Sequence, residues 1–389
     1  MSKAIQKYLE NYSEKEVTQL KLPSRSFEQA IVIPAFDENN SFLDTARIRS
    51  NPNILAIIVV NIPSDSSLNA TQRTVELLES LKSSELPNLL VVDRVQEPIE
   101  AKQGVGLARK IGTDLAVKLY QDQKVRSPWI RQTDADATLD ENYFDAKMPT
   151  DGAVVFKHQH QTNDPQISMA ISLYDAHMSY YVSALNYAGS HYAFPTLGST
   201  IAIQATTYAQ VRGYPKRNAG EDFHLLNKVA KINEVHSSKD STVSLAARIS
   251  DRVPFGTGPS IRKILALLGE DPTGSSYLSY DFRVFQLLRE TLKQLHQLTE
   301  SPLTIKPTFR GILDGLGFQK IETILHSKYH SAGQRQDVIK RWFDGLRTLR
   351  FIHSAETIFP KTSLIGSLNN LPYSIKYEVG KISDGVLKI

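Results

Sequence analysis

The chain has 389 residues, of which 41% are hydrophobic and 22% charged, so it is long enough to bury a large core. Its formal net charge of +4 suits anionic ligands but excludes the dense basic surface of a nucleic-acid-binding protein. It contains no cysteine, which excludes disulfides, thiol catalysis and cysteine-based zinc sites. Met1 to Lys21 lacks the apolar segment of a signal peptide, and no apolar run is long enough for a transmembrane segment. We therefore expect a cytoplasmic protein.

The first half of the chain alternates short apolar runs with segments of helical spacing. We predict strands at 30–33, 54–60, 89–92 and 129–133, and helices at 5–12, 41–49, 69–82 and 106–120. Continuously apolar strands between helices are typical of a mainly parallel sheet that is covered on both faces. Ligands of such sheets bind beyond the carboxyl ends of the strands, so we expect functional residues there.

The second half has a less regular pattern and becomes almost entirely helical after about residue 260. We predict strands at 153–156, 199–203 and 242–247, and helices at 167–187, 221–231, 280–298 and 334–350.

Polar residues follow the first two strands. Pro34 ends the first strand and acidic residues follow it, while Asn61 closes the second strand and Asp65 lies in the next turn. An asparagine side chain has both a donor and an acceptor, so Asn61 could bind the edge of a base, and Asp65 could contact a ribose. The alternative is a pair of ordinary strand–loop junctions, with a helix capped at Ser67 or Asn69.

A glycine-containing segment leads from the third strand into a helix. Gly104 and Gly106 would let the backbone approach a phosphate, and Lys102 and Arg109 add positive charge near the helix N-terminus. The segment is a near miss to the dinucleotide-binding fingerprint, because Arg109 stands where the third glycine should be.

The pair Asp134 and Asp136 follows the fourth strand. In an extended chain two residues that are two positions apart point to the same side, so these carboxylates would repel each other unless a cation lay between them. Carboxylate oxygens suit Mg²⁺ or Mn²⁺, which would in turn bridge a diphosphate. An Asp-x-Asp triplet is common by chance, but its place at a strand end favours a metal site.

Two later segments add candidates. Gly198 and Ser199 lead a strand and could contact an acceptor or a diphosphate, and Gly220 precedes Glu221 and Asp222 at a predicted helix start. These two acids could simply be favoured by the helix dipole. Together with the Asp-x-Asp pair, however, Asp222 is a candidate general base.

The segment 247–259 combines charged residues with glycine and proline. Arg248 and Arg252 could hold a diphosphate or an acidic acceptor, and Asp251 could complete a metal shell. A structural turn held by Asp–Arg pairing is the alternative.

The segments described above, called blocks from here on, resemble glycosyltransferase family 2 in their residues and their order along the chain. The resemblance covers about residues 28–260. The matching residues are Pro34, Ala35, Glu38, Asn61, Gly104, Gly106, Ala108, Arg109, Asp134, Asp136, Gly220, Glu221 and Asp222. The resemblance implies a GT-A fold, which is an α/β fold with a Rossmann-like, mostly parallel central sheet and helices on both faces. A C-terminal helical region follows it here.

The resemblance also implies roles. The first two blocks would bind the base and ribose of a nucleotide-diphosphate sugar, Asp136 would hold the metal on the diphosphate, and Asp134 would lie nearby. Asp222 would deprotonate the hydroxyl of the acceptor in an inverting displacement. Asn61 departs from the aspartate that is usual in the family. Because the Gln-x-x-Arg-Trp block and following membrane helices are absent, a soluble acceptor is expected rather than a growing wall polymer.

Three other functions stay open. A retaining GT-A transferase that makes a glycosyl-glycerate-type compound would have a similar layout. A sugar-nucleotide pyrophosphorylase would usually carry a glycine-rich loop after the first strand, and 34–40 has no glycine. A non-catalytic nucleotide-sugar binding module would not need Asp134, Asp136 and Asp222 intact.

The resulting domain prediction has three parts. Residues 1–27 form a helix and linker, 28–260 the GT-A domain, and 261–389 a helical region. Within the domain, 28–140 would bind the nucleotide and 141–260 the acceptor. The helical region could close over the site, bind the acceptor or form a homo-oligomer.

Overall fold

The computed structural model describes residues 2–250, 256–300, 305–326, 331–369 and 371–372. Asp251 and Arg252, which are two of the predicted site residues, lie outside the described residues. The chain divides into two compact units. The first contains the residues up to Gln161 and Thr196–Ala246, and the second contains Thr162–Pro195 and the described residues from Ala247 onward.

Ten strands are present in the described residues. In chain order they are β1 (Gln29–Ala35), β2 (Ile54–Pro63), β3 (Leu89–Ile99), β4 (Trp129–Gln132), β5 (Ala137–Leu139), β6 (Ala153–Gln161), β7 (Ile201–Gln204), β8 (Val235–Ala246), β9 (Leu278–Ser279) and β10 (Thr362–Ser363). The first eight belong to the first unit and form one sheet in the order β3-β2-β1-β4-β7-β6-β8-β5. The chain is therefore an α/β protein, as predicted.

The helices of the described residues are listed here in chain order. They are α1 (Lys3–Asn11), α2 (Glu16–Gln19), α3 (Phe42–Thr45), α4 (Leu68–Lys82), α5 (Gly104–Gln121), α6 (Pro165–Ala188), α7 (Ala205–Gln210), α8 (Glu221–Val229), α9 (Thr257–Glu270), α10 (Phe282–Glu300), α11 (Pro307–Gly315), α12 (Gln319–Leu325), α13 (Ala332–Trp342), α14 (Gly345–Ala355) and α15 (Leu364–Asn369). None of these helices is long and apolar enough to cross a membrane.

The sheet is mainly parallel. Parallel pairing joins β3 to β2, β2 to β1, β1 to β4 and β6 to β8, whereas β7 is antiparallel to both of its neighbours and β5 is antiparallel to β8. Six strands therefore run one way and two run the other. Because β7 opposes β4, the start of β7 lies at the same edge of the sheet as the carboxyl end of β4.

The central strands are buried on both faces. In β1 and β2, Ala30–Ile33 and Ile54–Ile62 are buried, which explains why their sequences are continuously apolar and do not alternate. Helix α5 packs against β1 and β2. Gly112 allows this close approach, because a Cβ there would lie 2.3 Å from a methyl carbon of Val32.

One predicted helix of the first unit is much shorter than expected. The sequence suggested a helix at 41–49, but α3 covers only Phe42–Thr45 and is followed by a turn. The side chain of Ser41 makes no capping bond, and Arg47 has a φ of 59°. A left-handed residue cannot continue a right-handed helix, so the helix ends before it.

The second unit is helical around its own core. Buried side chains of α6, α9, α10, α13 and α14 share one apolar cluster, so α6 belongs to this unit although it lies between strands of the first. The helix predicted at 334–350 is two helices. The Asp344 side chain accepts the Arg347 N–H at 3.0 Å and caps α14, which starts a new helix after α13.

Candidate functional site

The candidate site lies at the edge of the sheet where β4 ends and β7 begins. Asp134 is the second residue after β4, and Gly198 lies in the short turn that leads into β7. Helix α8 starts there at Glu221, after Gly220 adopts a φ of 71°. The antiparallel pairing of β4 and β7 thus brings together segments that are about 60 residues apart in the sequence.

Arg109 is the centre of this site. Its Nη2 donates to Asp134 Oδ1 at 2.6 Å, and its Nε donates to Glu221 Oε1 at 3.0 Å. The arginine is only 3% exposed. Burial opposes its charge, but the carboxylates of Asp134 and Glu221 outweigh this effect and raise the pKa of Arg109. Gly198 lies over the guanidinium, because a Cβ there would be 2.6 Å from Nη2.

These contacts change the interpretation of the acidic pair. We expected the carboxylates to attract a cation, and the guanidinium of Arg109 already supplies one for Asp134. We also expected Asp134 and Asp136 to be part of an extended chain. They instead occupy a tight turn, in which the Ala137 N–H donates to the Asp134 carbonyl at 3.1 Å, and the chain then continues into β5.

Asp222 is half-buried beside this ion pair. Its Oδ1 accepts the N–H of Phe223 at 2.6 Å, and its carboxylate also accepts the N–H of Gly198. Burial and the neighbouring charge of Glu221 outweigh these bonds and raise the pKa of Asp222 to about 7. With this pKa, Asp222 is only partly ionised at neutral pH, although it lies at the start of α8, where the helix dipole favours a negative charge. Burial also raises the pKa of Glu221, and Arg109 opposes that shift.

The glycine-containing segment has a packing role. Gly104 is the first residue of α5, with a φ of 40°, and a Cβ there would lie 2.4 Å from the Asn218 side chain. The Gly106 N–H donates to the Arg217 carbonyl at 3.0 Å. The loop before α8 thus covers this face of α5, which explains both glycines without a phosphate. Lys102 is exposed and forms an ion pair with Glu100 at 2.7 Å.

The residues after β1 and β2 are placed differently from one another. Pro34 and Ala35 are buried as the last residues of β1, and Glu38 lies in the loop beyond. Asn61 is only 5% exposed, because β2 continues two residues past it. Asp65 is exposed in the following turn.

Asp37 is a residue of this edge to which the sequence assigned no separate role. It has a φ of 57°, its N–H donates to Thr74 Oγ1 at 3.0 Å, and its carboxylate pairs with Arg73 Nε at 2.6 Å. A left-handed aspartate is uncommon and fixes the direction of the chain after β1. The acidic loop is therefore attached to α4.

Tyr214 is a second residue that sequence reasoning left without a role. It is 2% exposed, and its hydroxyl has no hydrogen-bond partner among the described residues. Burial raises its pKa, and the charge of Arg109 opposes the shift. Arg109 Nη1 is likewise buried without a partner in that part of the chain. Each of these two buried polar groups can still accept a water molecule or a ligand group as a partner.

The remaining candidates are less central. Ser199 is buried next to Gly198, in the turn before β7. Arg248 is half-buried after the end of β8 and belongs to the second unit.

The acidic turn fits a divalent cation. Its side chains offer carboxylate oxygens, which Mg²⁺ and Mn²⁺ prefer. The Asp134 side chain is 38% exposed despite its bond to Arg109, and Asp136 is half-buried two residues later. A partly exposed pair of carboxylates in one turn can bind a cation that remains partly hydrated.

Known proteins show only a distant structural likeness to this chain. No family model matches the sequence, and no curated protein matches it. Among solved structures, the chain is similar to one of GalNAc-T7 with UDP, GalNAc and Mn²⁺, with 12% sequence identity and a TM-score of 0.35. The match covers 69% of this chain and 53% of that one, so the chain spans about half the length of its structural neighbour. So distant a likeness carries no argument about activity.

Proposed function

We propose that the chain is a glycosyltransferase of the GT-A type that moves a sugar from a nucleotide-diphosphate sugar to the hydroxyl of a soluble acceptor. The observation that carries this proposal is the cluster of Arg109 with Asp134, Glu221 and Asp222 at one edge of the sheet. Ligands of open α/β sheets bind at such edges. The cluster also joins three sequence blocks whose order is similar to that of glycosyltransferase family 2.

In this proposal, Asp134 and Asp136 hold Mg²⁺ or Mn²⁺, which would neutralise charge on the donor diphosphate. The sequence position of Arg109 suggested a contact with phosphate, but its proposed role is structural. It neutralises Asp134 and Glu221 and holds both carboxylates in place. A buried charge that lost these partners would be strongly destabilising, so Arg109 keeps the geometry of the turn and of the start of α8.

Asp222 is proposed to act as the general base. A hydroxyl acceptor is a poor nucleophile until its proton is removed, and a carboxylate with a pKa near the working pH can accept that proton as the new bond forms. The pKa of about 7 for Asp222 matches this requirement. Base catalysis by Asp222 fits an inverting displacement, in which the acceptor attacks opposite the leaving diphosphate.

The experiment is a panel of UDP- and GDP-sugars titrated into the protein with Mn²⁺, Mg²⁺ or a chelator. We expect saturable binding and slow donor hydrolysis with the cation only. Asp136→Ala should remove the cation-dependent part of the affinity and leave the thermal unfolding midpoint within a few degrees of wild type. Asp44→Ala, an exposed acid elsewhere in the first unit, is the matched control.

The panel also separates the alternatives. Binding with no hydrolysis or transfer under any condition would indicate a binding module. Formation of a nucleotide-sugar from a sugar phosphate and a nucleoside triphosphate would indicate a pyrophosphorylase. Equal affinity with cation and with chelator would contradict the metal site.

A further inference from the structure

The second unit contains a cleft that is lined by none of the candidate site residues described above. Its volume is about 710 Å³. This size is within the range of about 300–1,000 Å³ that is usual for small-molecule sites. The end of α6 and the residues that follow it form one wall, and α10 and α13 form the others.

The cleft has a positive rim. Arg289 and Lys293 on α10 and Lys340 on α13 line it, against a single lining carboxylate, Asp337. Glu290 pairs with Lys293 at 2.7 Å, so the charge of Lys293 is partly offset. Arg289 and Lys340 are half-buried and form no ion pair within the described residues. Neither cation is therefore held in a close ion pair within the described residues, although Glu290 and Asp337 lie on the same helices.

The floor is aromatic and held in place. The Arg289 guanidinium lies 4.5 Å from the centre of the Tyr187 ring, which restricts both side chains. The Tyr192 hydroxyl donates to the Lys340 carbonyl at 3.3 Å and ties α13 to the segment after α6. Leu292 and Phe343 complete the apolar lining.

We propose that this cleft binds a sugar that carries an anionic group, a phosphate or a carboxylate. Arg289 and Lys340 would contact the anion, and the apolar lining of the cleft would pack against the apolar face of the sugar ring. A nucleic acid is not favoured, because strong binding of a duplex uses about 6–10 phosphate contacts. The inference does not depend on the proposed transferase activity.

A purely structural explanation exists for the basic rim. Gly189 ends α6, and cations near a helix C-terminus are favoured by the helix dipole. That explanation predicts no saturable ligand binding.

The test is titration calorimetry of the full chain with glucose 1-phosphate, glucuronate and neutral glucose at low ionic strength. We expect at least one of the two anions to bind and glucose to bind more weakly. Lys340→Gln and Arg289→Lys should both lower the affinity for the anion. For Lys340→Gln we expect a loss of about tenfold. Asp337→Asn should tighten it by removing repulsion. Lys263→Gln, an exposed lysine of the same unit away from the cleft, should change nothing.

The outcomes separate this proposal from the transferase proposal. Affinity for UDP with Mn²⁺ should be the same in Lys340→Gln as in wild type, because Lys340 is not among the residues proposed to bind the donor. No saturable binding of either anion would overturn the cleft proposal, and so would equal binding of glucose or equal affinity in all four variants. Thermal melts of each variant show whether the fold is retained.

Discussion

Arg109 and Lys110 are consecutive residues of α5, and both are buried cations bonded to carboxylates, yet their surroundings differ. Lys110 Nζ donates to Tyr8 Oη at 2.7 Å, to the Tyr12 carbonyl at 2.7 Å and to Asp114 Oδ2 at 2.8 Å. An ammonium group has three protons, so every donor of Lys110 has a partner. Asp114 is also fully used, because the Tyr8 hydroxyl donates to it at 2.6 Å.

In the cluster around Arg109, by contrast, not every hydrogen-bond donor has a partner within the described residues. Its Nη1 has no partner in the described part of the chain, Asp134 remains 38% exposed, and the pKa of Asp222 is raised to about 7. Buried polar networks that are fully satisfied make a structure rigid, whereas strained and partly exposed ones cluster at functional sites. The comparison indicates that Lys110 attaches the N-terminal segment to α5, and it supports the proposal that the cluster around Arg109 belongs to a binding site.

The largest expected effect is on stability, at the complete cluster. Asp114→Ala would leave Lys110 buried without its carboxylate, so we expect the free energy of unfolding to fall by about 3–5 kcal/mol. Chemical denaturation measures this loss. Asp134→Ala should cost clearly less, because its side chain is 38% exposed. A loss for Asp134→Ala as large as that for Asp114→Ala would contradict the division into structural and functional clusters.

The next effect is on catalysis, at the incomplete cluster. Asp222→Asn should lower the transfer rate by roughly 10²-fold or more, because the amide cannot accept the proton of the acceptor. Donor and metal affinity should stay near wild type, as measured by titration. Glu221→Gln should be milder if Glu221 only orients its neighbour. A rate for Asp222→Asn within a few-fold of wild type, or a product with retained anomeric configuration, would remove Asp222 from this role.

The strands and the candidate residues could be predicted from the sequence, but the bonds within the site could not. The apolar runs predicted β1, β2, β3 and β4, because strands buried on both faces need apolar side chains throughout, but the short β5 was not predicted. The sequence order also brought Asp134, Glu221 and Asp222 forward as candidates. The Arg109 bridge was not predictable, since it depends on the pairing of Arg109 with the turn after β4 and with the start of α8, which are distant from it in the sequence. No local pattern encodes that pairing.

Other misses have equally local causes. The break between α13 and α14 depends on the Asp344 cap, which a helical hydrophobic pattern on both sides conceals. The acidic pair was expected in an extended strand, but strand periodicity does not reveal where a turn begins. Tyr8 precedes Lys110 and Asp114 by about 100 residues in the sequence, so no local pattern indicated their network.

The raised pKa of Asp222 predicts that both the stability and the activity of the chain depend on pH. The pKa of Asp222 is raised from its ordinary value of 3.8 to about 7, so the folded chain holds a proton that the unfolded chain loses. The contribution of Asp222 to stability is therefore full below about pH 4 and is lost as the pH rises towards about 7. Asp222→Asn should remove this part of the decline, which denaturation at several pH values measures. In wild type the transfer rate should rise with pH and level off above about 7, where the base is ionised. Parallel stability curves for the two proteins would contradict the raised pKa.

The smallest expected effect comes from Gly198→Ala, which tests whether the Arg109 guanidinium is held rigidly. A Cβ at this position would lie 2.6 Å from Nη2 and 2.8 Å from Cζ of Arg109. Either the backbone at residue 198 or the guanidinium of Arg109 must therefore move. The guanidinium cannot move away without lengthening its bonds to Asp134 and Glu221. We therefore expect a loss of stability of about 1–3 kcal/mol, as is usual for overpacking, together with a lower transfer rate. Gly269→Ala in α9 is the control, because nothing lies within 4 Å of its added Cβ and alanine is the better helix former. If Gly198→Ala were as stable and as active as wild type, the guanidinium would be free to shift, and Arg109 would not be the fixed centre of the site.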